Sequence, residues 1–253
     1  MRPFHTDTEV VNAQLPARLV EQPGAHHKLL CVEAGVLHSA LMRLIDELRA
    51  EHTLIDRALG SLRHWVEVGG DAADGARFFE FFRRYADGFH HAREEDSLFA
   101  ALHREVELPL ERGPMAVLKA DHHRLGALLS ELEPLLRKAE RGERLTALAI
   151  AYSRGLWVHI DGENSVLLPE SEQRLHRHNI HELPSRAKTT EEAAALQAGH
   201  ELVTRYPELI DREVLRGDGC IMCPAYNDTC RGLEREWWNE SEWSEHHDRF
   251  SGD

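Results

Sequence analysis

The chain has 253 residues, 42% hydrophobic and 29% charged, with 44 acids against 30 bases for a formal net charge of -14. That size supports one full core plus an appendage, and the acidity excludes a general nucleic-acid binder, which needs a basic stripe to meet phosphates. No apolar run reaches the roughly 18 residues of a membrane span, and "MRPFHTDTEVVNAQ" lacks the apolar core of a signal peptide, so a cytoplasmic protein with no nucleic-acid or membrane partner is expected. Histidine is the outlier at 18, and four cysteines fit a reducing compartment or a metal site better than a disulfide framework.

Residues 1–30 hold Pro3, Pro16, Pro23 and Gly24 with little periodicity and read as a loosely ordered arm. From Leu37 onward Leu41, Ile45, Leu48, His52, Ile55, Leu59 and Leu62 recur at steps of three and four, which predicts a first helix with one buried stripe. His38 falls in the same stripe as a core histidine or a support for a ligand. "VGGDAADGA" breaks the pattern, and a second helix is predicted over about 76–104, rich in Phe78, Phe79, Phe81, Phe82, Tyr85 and Phe89. A third helix runs from about Pro114, with His122 in its stripe and Pro134 expected to kink it or weaken its last turns. A fourth covers about 143–168 and is expected to stop at Pro169. Four long amphipathic helices with short connections and no convincing strand predict an all-α fold, an up-down-up-down four-helix bundle over 31–170.

The chemistry lies in a repeat. "AEHTLID" around His52 matches "ADHHRLG" around His122, and "HHAREEDSLF" matches "HIDGENSVLL" with His90 on His159 and Glu94 on Glu163, at offsets of 70 and 69 residues. Each helical hairpin therefore gives one histidine from its first helix and one HxxxE pair from its second, the two members four apart on one helix face. The register prefers His90 over His91 and His122 over His123, leaving His91 and His123 as supporting or surface residues. A lone buried histidine is more often a satisfied core residue than a ligand, but four imidazoles and two carboxylates at repeated positions suit a pair of metal ions in a bundle core. Burying the carboxylates without cations would cost several kcal/mol each.

This H…HxxxE…H…HxxxE arrangement resembles the hemerythrin-like proteins with HHE cation-binding domains, over about Leu37 to Pro169. The resemblance implies an oxo- or hydroxo-bridged pair of iron ions held by His52, His90, Glu94, His122, His159 and Glu163, and able to meet dioxygen, peroxide or nitric oxide. Ligand type alone also admits zinc or an iron–manganese pair. Oxygen-carrying members have five histidines and place one where this chain has Glu94. A carboxylate there favours ferric iron and lowers the reduction potential, so reaction with oxidants is expected before reversible carriage. An iron or redox sensing or storage module signalling through the tail, and an oxygenase acting on an organic substrate, are the alternatives. Glu95, Tyr152 and Asp161 are candidate proton relays, and the electron donor is not specified by any motif.

The region 171–253 reads as a linker and a mostly helical extension, with a short helix near 191–205 and another after Pro207. "CIMCPAYNDTC" supplies Cys220, Cys223 and Cys230, whose spacing suits a zinc site or a redox dithiol, with inert thiols as the bland reading. His200, His246 or His247 would complete a zinc site. Trp237, Trp238 and Trp243 are expected to pack against the bundle or a partner chain, which leaves room for a homodimer. Cys31 has no partner that the sequence identifies.

Overall fold

The computed structural model describes residues 25–211, 237–238 and 241–245, with side chains from residue 43 onward. The chain divides into a unit over Met1–Gly35 and a unit over Val36–Asp253, and the site described below lies in the second. All regular structure among the described residues is helical, and none of these helices is long and apolar enough to cross a membrane.

The first helix, Ala25–Val68, begins directly after Pro23 and Gly24 and twelve residues before the predicted start, because nothing between Ala25 and Leu37 interrupts it. The second is continuous over 72–106. It is α-helical over Ala72–Glu80 and Ala100–Val106, but opens into wider π-helical turns over Phe81–His91 and Glu94–Phe99. Asp71 caps its start by accepting from the Asp74 amide at 2.8 Å, and Glu107 closes it in the left-handed region at φ 58°. The third helix, Gly113–Lys138, runs through Pro134 without a break.

The fourth helix departs from expectation, for Pro169 does not stop it. The chain is α-helical over Glu143–Gly162, π-helical over Glu163–Leu167 and α-helical again over Leu168–Arg177. A proline inside an α-helix clashes with the carbonyl four residues back and leaves it unbonded. The wide turn just before Pro169 hands the bonding to a five-residue step, Leu168 N–H to Glu163 O, and the Ser171 hydroxyl donates to the Leu167 carbonyl at 2.6 Å. Asn179, at φ 58°, provides the actual stop.

Two apolar clusters form the core. One draws on Leu54–Trp65 of the first helix, Phe78–Phe89 of the second, Leu125–Leu136 of the third and Leu145–Ile160 of the fourth. The other draws on Leu44–Leu48, Leu98–Val106, Met115–Leu118 and Leu167–Leu175 of the same four helices. Between them each helix contributes a polar stretch, around His52, His90–Glu94, His122 and His159–Glu163, so the polar side chains form a layer sealed by grease on both sides.

A tail helix, Thr190–Arg205, starts with a capping box between Thr189 and Glu192 and lays Ala195, Leu202 and Val203 on the first cluster. Gly199 makes the close approach: a Cβ there would meet the Phe81 ring at 2.4 Å. Asp74 anchors the far end, accepting from Tyr206 Oη at 2.8 Å, Arg205 at 2.5 Å and Arg77 at 3.1 Å. Trp237 packs on the second cluster and Trp238 against Gly113, as expected of bundle-packing tryptophans, while Trp243 is half-buried. No helix begins between Pro207 and Asp211, and the rest of the segment expected to be helical there lies outside the described residues, as do Cys220, Cys223, Cys230, His246 and His247.

Burial opposes the charge on Asp74, but Tyr206, Arg205 and Arg77 outweigh it and hold its carboxyl below the ordinary 3.8. A depressed carboxyl stabilises the fold above its unfolded value and loses that contribution as the pH falls through the folded one. Attachment of the tail helix should therefore be pH-independent above about pH 4 and weaken below it. Asp74→Asn should flatten this acid limb, as read by hydrogen exchange of 190–205. Gly199→Ala should destabilise the chain by about 1 to 3 kcal/mol in urea unfolding, because the rigid Phe81 ring occupies the space the methyl needs.

Candidate metal centre

Seven side chains converge in the polar layer. His52 comes from the first helix, His90, His91 and Glu94 from the π-helical part of the second, His122 from the third, and His159 and Glu163 from the fourth. All seven are buried, and the two glutamates are 0% exposed. They form two groups, His52, His90, Glu94 and Glu163, and His91, Glu94, His122 and His159, with the ligand atoms of each within 4.8 Å of one another. Glu94 belongs to both. Its Oε1 lies 3.5 Å from His52 Nε2 and 3.3 Å from His90 Nε2, while its Oε2 lies 3.6 Å from His122 Nε2. Glu163 also reaches across, with Oε2 at 3.2 Å from both His52 Nε2 and His159 Nε2, and Oε1 at 3.9 Å from His122 Nε2.

These close approaches are not hydrogen bonds. His52 Nε2, His90 Nε2 and all four oxygens of Glu94 and Glu163 are buried without a hydrogen-bond partner, although native interiors satisfy nearly every such atom. Atoms about 2.1 Å from a shared ion, at angles near 90–110°, lie about 3.0 to 3.5 Å apart. The observed 3.2–3.6 Å separations between nitrogens and oxygens suit that arrangement. The donors are imidazole and carboxylate, the set that first-row transition metals take in helical bundles.

Behind the histidines stands a second ring of acceptors that keeps the repeat. Glu51, just before His52, places Oε2 2.9 Å from His90 Nδ1. Asp121, just before His122, places Oδ2 3.8 Å from His159 Nδ1. Glu95, just after Glu94, lies 2.7 Å from His122 Nδ1, and Asn164, just after Glu163, lies 2.9 Å from His52 Nδ1. At His52, His90 and His122 the acceptor at Nδ1 keeps the proton there and turns the Nε2 lone pair inward, which is how proteins orient metal-binding imidazoles, whereas Asp121 stands beyond hydrogen-bond reach of His159 Nδ1. His91 stands outside this symmetry, with Ile160 at its repeat position, and faces Asp87 at 3.7 Å.

Without a metal, protons do the compensating. Burial disfavours the cation at His52, but Glu163 and Glu94 outweigh it and raise the ring to about 10. Burial likewise opposes the charge of His159, and Glu163 with Asp121 raises it to about 9. Burial pushes Glu94 and Glu163 up, yet the surrounding histidines hold both below the ordinary carboxylate range. His91 goes the other way: burial and the charge of His122 lower it to about 3, so it stays neutral and keeps a lone pair at neutral pH.

The structure thus brings together all six residues of the sequence-derived set, and adds His91. The sequence reading set His91 aside because His90 with Glu94 has a counterpart in the second half of the repeat and His91 with Glu95 does not; in an α-helix the two adjacent side chains would also stand 100° apart. In the wider π turn the step falls to roughly 80–90°, and His90 and His91 both face the core, the latter stacked on His122 with ring centroids 4.1 Å apart. A fifth imidazole, that of His91, therefore lies in the cluster beside the four expected. His123 is exposed, His200 lies exposed on the tail helix, and the side chains of Cys31 and His38 lie outside the described residues. Glu95 touches the cluster through His122. Tyr152 instead packs on Phe82 at 5.3 Å, its phenol pushed up by burial, and Asp161 is half-buried. Asn164, Glu51 and Asp121 were not singled out from the sequence, although the repeated acid–histidine pairs were the signal for the last two. If both groups bind cations, Glu94→Ala should empty both positions, whereas His91→Ala should leave about one metal per chain, as read by metal analysis after dialysis.

Among known proteins, no curated protein and no solved structure matches the chain. A family description, the hemerythrin HHE cation binding domain, matches residues 43–171, which spans the polar layer and both HxxxE pairs. The match covers just over half of the chain, and its segment holds every residue of the two histidine–glutamate groups. The chain belongs to the hemerythrin HHE cation-binding family, and its bundle is a metal-binding module.

Proposed function

We propose that the bundle holds two iron ions and that the protein binds and reacts with dioxygen, peroxide or nitric oxide. The observation that carries this reading is that Glu94 belongs to both donor groups in one sealed layer, while Glu163 of the first group also reaches His159 and His122 of the second. Two carboxylates that each face two imidazole groups suit two ions side by side rather than one. His52 and His90 serve the first position; His91, His122 and His159 serve the second. The first position has fewer imidazoles and therefore more room for an outside ligand. Iron there supplies one-electron redox chemistry and coordination sites for a small oxidant.

The protein's own part is to hold, insulate and compensate. Leu48, Ile55, Phe89, Leu98, Phe99 and Leu156 close the layer above and below, which excludes bulk water and strengthens electrostatics inside it. Glu95 has a side chain 34% exposed and touches buried His122, so it can carry a proton between solvent and the layer.

The same reading takes the helices in up-down-up-down order. Supporting it, residue numbers rise from the second cluster to the first in the first and third helices, and fall back in the second and fourth. It also takes 31–170 as the bundle and the extension as a separate element, in a cytoplasmic protein.

Metal analysis and visible absorption, recorded before and after peroxide under anaerobic and aerobic conditions, test the proposal. About two irons per chain, and an absorption band that forms on oxidation while peroxide is consumed, are expected. His159→Ala should remove the iron of the second position and leave about one per chain. Two irons with no turnover would move the function to storage or sensing, and a bundle that takes up no iron would sink the reading.

A further inference from the structure

Arg93 has no counterpart in the second half of the repeat, where Gly162 takes its place. Its side chain is 1% exposed, an unusual position for a guanidinium, which is almost never buried without partners. Nη1 donates to Glu51 Oε1 at 2.5 Å, Nη2 to Glu47 Oε2 at 2.5 Å, and Nε to Ser185 Oγ at 2.9 Å. The other oxygen of Glu51 lies 2.9 Å from His90 Nδ1. A continuous chain, Ser185 to Arg93 to Glu51 to His90, thus leads from the segment after the fourth helix to the first metal position. The matching support in the other hairpin is looser: Asp121 stands 3.8 Å from His159, and its partner Arg124 has a side chain 51% exposed.

The segment that carries Ser185 is strapped to the same turn by further bonds. Arg186 donates to the Gly88 carbonyl at 2.7 Å and forms a two-pronged pair with Glu192 of the tail-helix capping box, at 2.7 and 2.6 Å. Arg93, Arg186 and Lys188 all lie over the ring of Phe89, at 4.8, 4.9 and 4.6 Å from its centroid. Three cations gather on the residue next to His90, attracted by the ring face and offset by Glu47, Glu51 and Glu192. Ser185, Arg186, Lys188 and Glu192 all fall beyond residues 43–171 matched by the family.

We propose that Arg93 and Ser185 are positioning residues for His90, acting through Glu51, and that segment 185–192 thereby sets how firmly the first position holds its ion. The inference rests on the proposal above that the two groups bind iron. The planar guanidinium fixes Glu51 in the rotamer that meets His90, and the Ser185 hydroxyl fixes the plane of the guanidinium. A partner of this kind governs ring orientation and ligand basicity, and losing it commonly weakens a site about tenfold or more.

The test uses the full chain loaded with iron, comparing wild type with Ser185→Ala, Arg93→Met and Arg93→Lys. The readouts are iron per chain, visible spectrum, thermal midpoint, and the rate at which a chelator removes each ion. Arg93→Met should release one ion about tenfold faster with a shifted spectrum, while the other ion leaves at the wild-type rate. Ser185→Ala should do the same to a smaller extent with an unchanged thermal midpoint, because it sits outside the bundle core. Arg93→Lys should recover only part, since lysine keeps the charge but not the fork. Asp121→Asn should affect the other ion instead. Ser185→Ala and Arg93→Met proteins that release both ions at wild-type rates with wild-type spectra would overturn the inference. So would equal acceleration of both ions, which marks general loosening. Wild type that binds no iron would instead remove the reading of the centre on which this one rests.

Discussion

Two carboxylates with no exposure to solvent, Glu94 and Glu163, set the terms for the rest of the bundle. Left alone among leucines and phenylalanines they would be strongly destabilising. Every nearby feature answers to them. The imidazoles of His52, His90 and His159 aimed at them supply positive charge as protonated rings or give way to a bound cation. The wide helical turns bring those groups to one level, and the apolar clusters above and below keep water from competing. Metal binding and folding are therefore linked, because an ion that replaces these protons binds the folded layer and finds no such layer in the unfolded chain.

The layer is built twice from one plan, and its departures from the plan are informative. Glu51 and Asp121 each back the histidine of the neighbouring helix in their own hairpin, and Glu95 and Asn164 each back the histidine contributed by the other hairpin. Two substitutions break the equivalence. His91 stands opposite Ile160 and enriches one group in imidazole; Arg93 stands opposite Gly162 and ties the other group to the extension. The first gives the two positions different donor sets. The second gives them different surroundings, one buried and charge-compensated, the other backed by half-exposed acids.

The π-helical turns are where sequence periodicity and structure part company. The repeat at steps of three and four predicted the four long helices, the buried stripes and the six repeated histidines and glutamates that meet in the polar layer, because those follow from helical spacing and from residue type at matched positions. Matching the two halves set His91 aside, and ideal spacing placed a helix end at Pro169. The first comparison carries no information on how wide the turn at His90 is, and the second presumes a four-residue hydrogen bond. The second helix widens at Phe81–His91, and the fourth at Glu163–Leu167, where the five-residue step also accommodates Pro169.

The sequence by itself determined the all-helical class, the doubled hairpin and the identities of His52, His90, Glu94, His122, His159 and Glu163, since these are encoded by local periodicity and by an internal repeat that can be read without coordinates. Tertiary structure alone decided that His91 joins them, that Glu51 serves His90 rather than its neighbour His52, and that Arg93 reaches Ser185 across 92 positions of chain. The physical reason is that these pairings depend on the turn width of one helix and on which side chains adjacent helices bring face to face. Such distances are fixed by packing, and no spacing within a single helix contains them.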